Sequence, residues 1–169
     1  MELETVLSHM TSNAQVIRAL VEDCSDHQAR WKPEPTAWSV LEVINHLLDE
    51  EREDFRARID LVLHRPEEGW FKIDPGRWVV ERGYNQRELD ASLNAFMAAR
   101  EESLDWLREL ASPDWEQGYD APFGPIRAGD FLAAWAAHDL LHTRQLVELR
   151  WAYQEVWLAP YDVRYAGVW

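Results

Sequence analysis

The sequence predicts an all-α four-helix bundle, and three observations carry that expectation. Four long segments place apolar residues at alternating steps of three and four, the spacing that collects one stripe on one face of a helix. All 8 prolines fall outside those segments, where a missing N–H and a fixed φ do no damage to a helical ladder. No stretch alternates apolar and polar residues over a convincing strand length.

The first helix is expected over residues 2–24, where Leu3, Leu7, Met10, Ala14, Ile17, Val21 and Cys24 form a bundle seam. The second is expected over residues 39–64. Ser39, with Glu42 three positions later, makes a capping-box pattern; Pro33 and Pro35 keep the preceding segment extended, and Pro66 stops the helix. The third spans residues 86–111, with Leu89, Leu93, Phe96, Met97, Leu104 and Leu107 facing inward, and ends before Pro113. The fourth runs over residues 128–151.

The connection from Arg65 to Asn85 carries Pro66, Gly69, Pro75, Gly76 and Gly83. Its flanking helices are about 37 Å long at 1.5 Å per residue, a span that an extended loop of this size can cross. A crossover would set the second and third helices parallel, whereas a local excursion would leave them antiparallel. Loop length favours the crossover.

Composition narrows the functional classes. The 169 residues are expected to form one domain, and 17 basic against 31 acidic residues give a formal net charge of −14. Such a surface repels phosphate backbones and anionic lipids, so neither nucleic acid nor a membrane is an expected partner. The longest apolar runs are far too short for a membrane span, and Glu2 and Glu4 replace the basic start of a signal peptide. Cys24 is the only cysteine, so no internal disulfide forms, and a cytoplasmic location is expected. Ten tryptophans are many for this length. The tail, residues 152–169, carries Tyr153, Trp157, Tyr161, Tyr165 and Trp169 directly after Trp151, and is expected either to lie across the bundle mouth as a lid or to join a homodimer face. The lid is preferred. Pro160 and Gly167 argue against one continuous helix through this tail.

Three histidines carry the chemistry. His138 and His142 lie four apart in a strongly helical stretch, so both occupy one face, inside the arc shared by Phe131, Trp135, Leu146 and Leu149. His46 lies on the second helix at the edge of the arc of Val40, Val43, Ile44 and Leu47. Antiparallel second and fourth helices would bring all three to a similar depth. Unpaired imidazoles there carry a desolvation penalty, and a divalent metal would relieve it, with three protein ligands leaving a position for water or substrate. The competing reading is three core histidines hydrogen-bonded to carboxylates or backbone. His9, His27 and His64 have no convergent partners and are expected at the surface.

The segment Trp38-Ser39-Val40-Leu41-Glu42-Val43-Ile44-Asn45-His46-Leu47 resembles the helix-two motif of the DinB-like superfamily. His138-Asp139-Leu140-Leu141-His142-Thr143-Arg144-Gln145 resembles its closing H-D-x-x-H-x-x-Q motif. Tyr84-Asn85, Arg100 and Gly124 fit the same pattern. The resemblance implies an up-down-down-up bundle holding a divalent metal on His46, His138 and His142; imidazole ligands suit zinc, nickel and iron alike. It also implies thiol-dependent transferase or isomerase chemistry with a low-molecular-weight thiol. Metal-dependent hydrolysis and a non-catalytic metal- or ligand-binding bundle are the alternatives. The family name refers to expression after DNA damage and implies no DNA binding.

Further site candidates surround the histidines. Glu50 is the expected general base, and Asp49 a neighbour able to hydrogen-bond an imidazole, although both also belong to an acidic run that could be a solvated stripe, Asp49-Glu50-Glu51-Glu53-Asp54. Arg100, in the apolar face of the third helix, is expected to clamp a buried carboxylate; the alternative is an anionic substrate. Gln145 shares the His138 face and is expected to orient a ligand or line a polar pocket, and Asp139 to support the site from behind.

Overall fold

The computed structural model describes residues 2–167. Four long helical segments pack as a bundle: α1 (Leu3–Val21), α3 with α4 (Val40–Glu53 and Phe55–His64), α6 (Leu89–Glu109) and α7 (Ala128–Leu158). Two short helices, α2 (Asp26–Arg30) and α5 (Pro75–Glu81), sit in the connections, and strands β1 (Gly118–Ala121) and β2 (Gly124–Arg127) form a small antiparallel hairpin ahead of α7.

Side-chain pairs fix the helix directions. Asn45 donates to Ser92, and Arg100 donates to Glu51, so numbering rises together along α3 and α6, and these helices are parallel. Asn13 pairs with Asp139 and the Leu20 carbonyl with Arg150, which makes α1 and α7 parallel as well. Leu7 and Met10 pack with Leu104 and Leu107, while Ile17 and Val21 pack with Leu93 and Phe96, so α1 and α6 run in opposite directions. The order is up-down-down-up, with the chain from Arg65 to Glu88 returning along the length of the bundle between α4 and α6.

Besides α5 within the connection, and a third helix that begins at Leu89 after a separate 3-10 turn at Tyr84–Gln86, the elements depart from the sequence expectation in four places. The first helix stops at Val21, and a separate turn of helix begins at Ser25, whose hydroxyl accepts from the Gln28 N–H. The second helix keeps its predicted capping box at Ser39 and Glu42 but breaks at Asp54, where φ −120° and ψ −90° leave the helical region. No proline or glycine marks that break; the Arg58 guanidinium holds the Asp54 carboxylate at 2.9 Å, and the turn seats the Phe55 ring against α7. The β-hairpin was not expected. Its strands are only four residues each, too short for alternation to register in the sequence. The hairpin delivers the chain to α7, whose Gly129 N–H bonds the Trp115 carbonyl; a Cβ at 129 would lie 3.0 Å from that oxygen.

The fourth departure concerns the tail. Nothing breaks the helix before Pro160, so α7 continues to Leu158. Tyr153 packs edge-on against Trp31 at 5.4 Å, and its hydroxyl shares a 3.0 Å hydrogen bond with Nδ1 of exposed His27. Trp157, Tyr161 and Tyr165 point into solvent. The lid expectation is therefore corrected: the overrun of α7 carries these rings outward instead of folding them back, and Trp169 lies outside the described residues. Among the described residues no helix is long and apolar enough to cross a membrane.

α3 is the central helix, with every residue from Val40 to Glu51 buried. Partners approach it from several sides, because the crossover and α5 cover the face that the bundle leaves open. That placement sets the fate of its carboxylates.

Candidate metal centre

His46 projects from the middle of α3, and His138 and His142 from successive turns of α7, which runs antiparallel to α3. One potential ligand atom from each of the three lies within 4.8 Å of the others. His138 Nε2 and His142 Nε2 are 3.1 Å apart. Two imidazoles sharing a tetrahedral cation at bond lengths near 2.05 Å would sit about 3.3 Å apart, so this pair already stands at a ligand spacing. His46 is buried, and the α7 pair is half-buried. Trp38 stacks parallel to His142 at 6.3 Å and tilts over His46 at 4.9 Å, while the Phe55 ring meets His138 at 5.1 Å. The histidines thus lie between two aromatic walls.

The electrostatics keep all three rings neutral. Burial pushes the His46 imidazole down to about 3, with repulsion from His142 and His138 adding to it. Burial likewise takes His138 to about 3, helped by His142 and Arg100. His142 is lowered by burial and partly restored by its bond to Gln145. Neutral imidazole is the metal-binding form. Gln145 Oε1 lies 2.8 Å from His142 Nδ1, so Nδ1 carries the proton and Nε2 presents a bare lone pair to the cluster. His46 Nδ1 is buried with no hydrogen-bond partner, as is Glu50 Oε1, and the two are 3.7 Å apart. Orphaned buried polar atoms are costly. A divalent cation with a coordinated water is the kind of group that would satisfy this set, and the donors present fit it.

Glu50 is buried, not part of a solvated stripe. Burial, the charge and hydrogen bond of Asp54 and the charge of Asp49 push its carboxyl up to about 9, against the opposing pull of Arg58. A dication nearby would reverse that preference and favour the carboxylate. Asp49 is also buried, but it faces the crossover: the Tyr84 hydroxyl and the Arg82 guanidinium both donate to it, while Arg82 also holds Glu53. The same correction reaches Glu51, buried at 1% exposure, whereas Glu53 remains at the surface. The alternative of one solvated stripe fails because Arg82 and Tyr84 close over Asp49 while Arg100 and Trp135 enclose Glu51, and these partners lie far away in the chain.

Arg100 clamps two carboxylates rather than one. Its Nε and Nη2 donate to Glu51 Oε1 at 3.0 and 2.5 Å, and its Nη1 and Nη2 donate to Asp139 at 2.7 Å each. Nη1 also reaches the Met10 carbonyl at 3.1 Å. All the guanidinium N–H groups are engaged, so an anionic substrate at Arg100 is ruled out by geometry. Asp139 additionally receives Asn13 at 3.3 Å. Glu51, Trp38, Phe55 and Trp135 were not foreseen at the site. Two of them had a signal: Trp135 its position on the His138 face, and Trp38 its place at the head of the motif that carries His46. His9, His27 and His64 are exposed and stand apart from the triad.

An up-down-down-up bundle with three converging interior histidines is the class of protein that this fold and site define. The sequence profile of the DinB superfamily matches residues 9–146, and the chain belongs to that superfamily. The structure is similar to that of YfiT from Bacillus subtilis, described as a probable metal-dependent hydrolase with an unusual four-helix bundle topology. The TM-score is 0.76 at 19% sequence identity, with 88% of this chain and 85% of that chain covered. A search of curated proteins found no match.

Proposed function

We propose that the chain is a divalent-metal-dependent hydrolase whose metal is held by His46, His138 and His142. The observation that carries this reading is the convergence of three neutral imidazoles, one buried and two half-buried, with ligand atoms within 4.8 Å of one another. Among the described residues no cysteine or carboxylate joins that set, which leaves coordination positions for water and substrate, as in catalytic rather than structural sites. A cation held by these histidines would supply a Lewis acid and lower the pKa of water there. Glu50, 3.7 Å from His46, would take the proton released when water attacks and return it to the leaving group. Trp38 and Phe55 flank the histidines on either side. The description of YfiT as a probable metal-dependent hydrolase supports water, rather than a thiol, as the nucleophile. Imidazole ligands suit zinc, nickel or iron.

Protein purified without chelators or a histidine tag, analysed for metal and assayed on ester and amide panels, tests the reading. Stoichiometric metal is expected, with turnover lost in His138→Ala and in Glu50→Gln. If only a low-molecular-weight thiol plus an electrophile reacts in the metal-loaded protein, thiol transfer replaces hydrolysis. If neither panel reacts and a fourth protein ligand closes the site, the chain is a binding module.

A further inference from the structure

The Arg100 cluster touches all four long helical segments: Glu51 on α3, Asp139 on α7, the Met10 carbonyl on α1, and Arg100 itself on α6. Glu51, Asp139 and Arg100 are at most 2% exposed. A buried charge group of this kind contributes little net stability compared with apolar side chains of the same volume, while its geometry is exacting. Sliding α7 by one turn, about 5.4 Å, would strand a guanidinium and two carboxylates without partners. An aliphatic seam tolerates such a slide far better.

The cluster is also wired to His138 from two sides. Trp135 Nε1 donates to Glu51 Oε1 at 2.8 Å, the atom that Arg100 grips. The Trp135 ring stacks on Phe55 at 5.7 Å with 9° between planes, and Phe55 packs edge-on against His138. On the other side Arg100 holds Asp139, the next residue after His138.

We propose that Glu51, Arg100 and Trp135 are positioning residues that set the axial register of α7 against α3, and thereby place His138 and His142 opposite His46. The consequence for metal rests on the site reading above; the register itself rests on these contacts alone.

The test uses two variants. In Glu51→Gln/Arg100→Met/Asp139→Leu the charges are removed together while an acceptor for the Trp135 N–H remains. In Trp135→Phe an aromatic ring remains against Phe55, and the N–H tether to Glu51 is cut together with part of the buried indole's packing. Zinc affinity is read by chelator competition, folding by circular dichroism, and register by the distance between spin labels at Arg52→Cys and Arg144→Cys in a Cys24→Ser background. The triple variant is expected to fold, lose about 10- to 100-fold in zinc affinity, and show a broadened or displaced label distance. Trp135→Phe is expected to lose less, in the same direction. A folded triple variant with wild-type affinity and an unchanged distance distribution overturns the proposal. Should the triple variant not fold, wild-type values in Trp135→Phe overturn it. A wild-type protein that takes up none of zinc, nickel and iron defeats the metal reading, and the label distances still decide the register.

Discussion

Arg100→Met removes a buried cation and leaves its two carboxylates behind, and the size of the effect can be worked from the contacts. Arg100 is 2% exposed, and its donors go to Glu51, Asp139 and the Met10 carbonyl. Methionine replaces the aliphatic stem, so the lost volume is small and the main cost is two uncompensated charges at 1% and 0% exposure. Breaking a buried ion pair from one side costs about 3–5 kcal/mol. For a chain of this length each kcal/mol lowers Tm by about 2–4 °C, so the expected drop is about 6–20 °C. Urea and thermal denaturation followed by circular dichroism measure this, with Glu51→Gln/Arg100→Met/Asp139→Leu expected to recover most of the loss because it leaves no charge behind. A Tm within about 2 °C of wild type, or a triple variant no more stable than Arg100→Met, would refute the reasoning.

Gln145→Leu removes the acceptor that holds the His142 Nδ1 proton; zinc affinity should fall by about 10- to 100-fold with little change in Tm, by chelator competition. The metal-free protein should lose stability as pH falls from the ordinary histidine range near 6.5 toward 3, because His46 and His138 stay neutral when folded down to about 3 while the unfolded chain takes up protons earlier. An acid titration of Tm checks the sign, and a flat profile over that window would contradict it. Exposed Trp157, Tyr161 and Tyr165 are expected to be covered by a second copy of the chain. Sedimentation at tens of micromolar (about the range of weak association) should show a dimer that Trp157→Lys dissociates; a monomeric wild type rejects this.

Some of this architecture is written in local order. The steps of three and four from Leu7 to Val21, the capping box at Ser39 and Glu42, and the prolines between segments all act within a few residues, so they are visible in a linear reading. The pairing of His138 with His142 on one face is of the same kind, since helical geometry alone aligns positions four apart. Burial is not local, because it depends on what arrives from elsewhere in the chain. Glu51 and Glu53 sit two positions apart in one acidic run, yet Arg100 of α6 and Trp135 of α7 enclose the first, while Arg82 meets the second at the surface. The break at Asp54 carries no proline or glycine and is held by Arg58 and by the seat of Phe55 on α7. The overrun of α7 to Leu158 leaves Trp157 outside the bundle because α1, its parallel neighbour, ends at Val21. The sequence by itself determined the helices and the faces their histidines share. Only the tertiary structure decided which carboxylates are enclosed and that His46 meets the other two, because those outcomes depend on contacts between residues far apart in the chain.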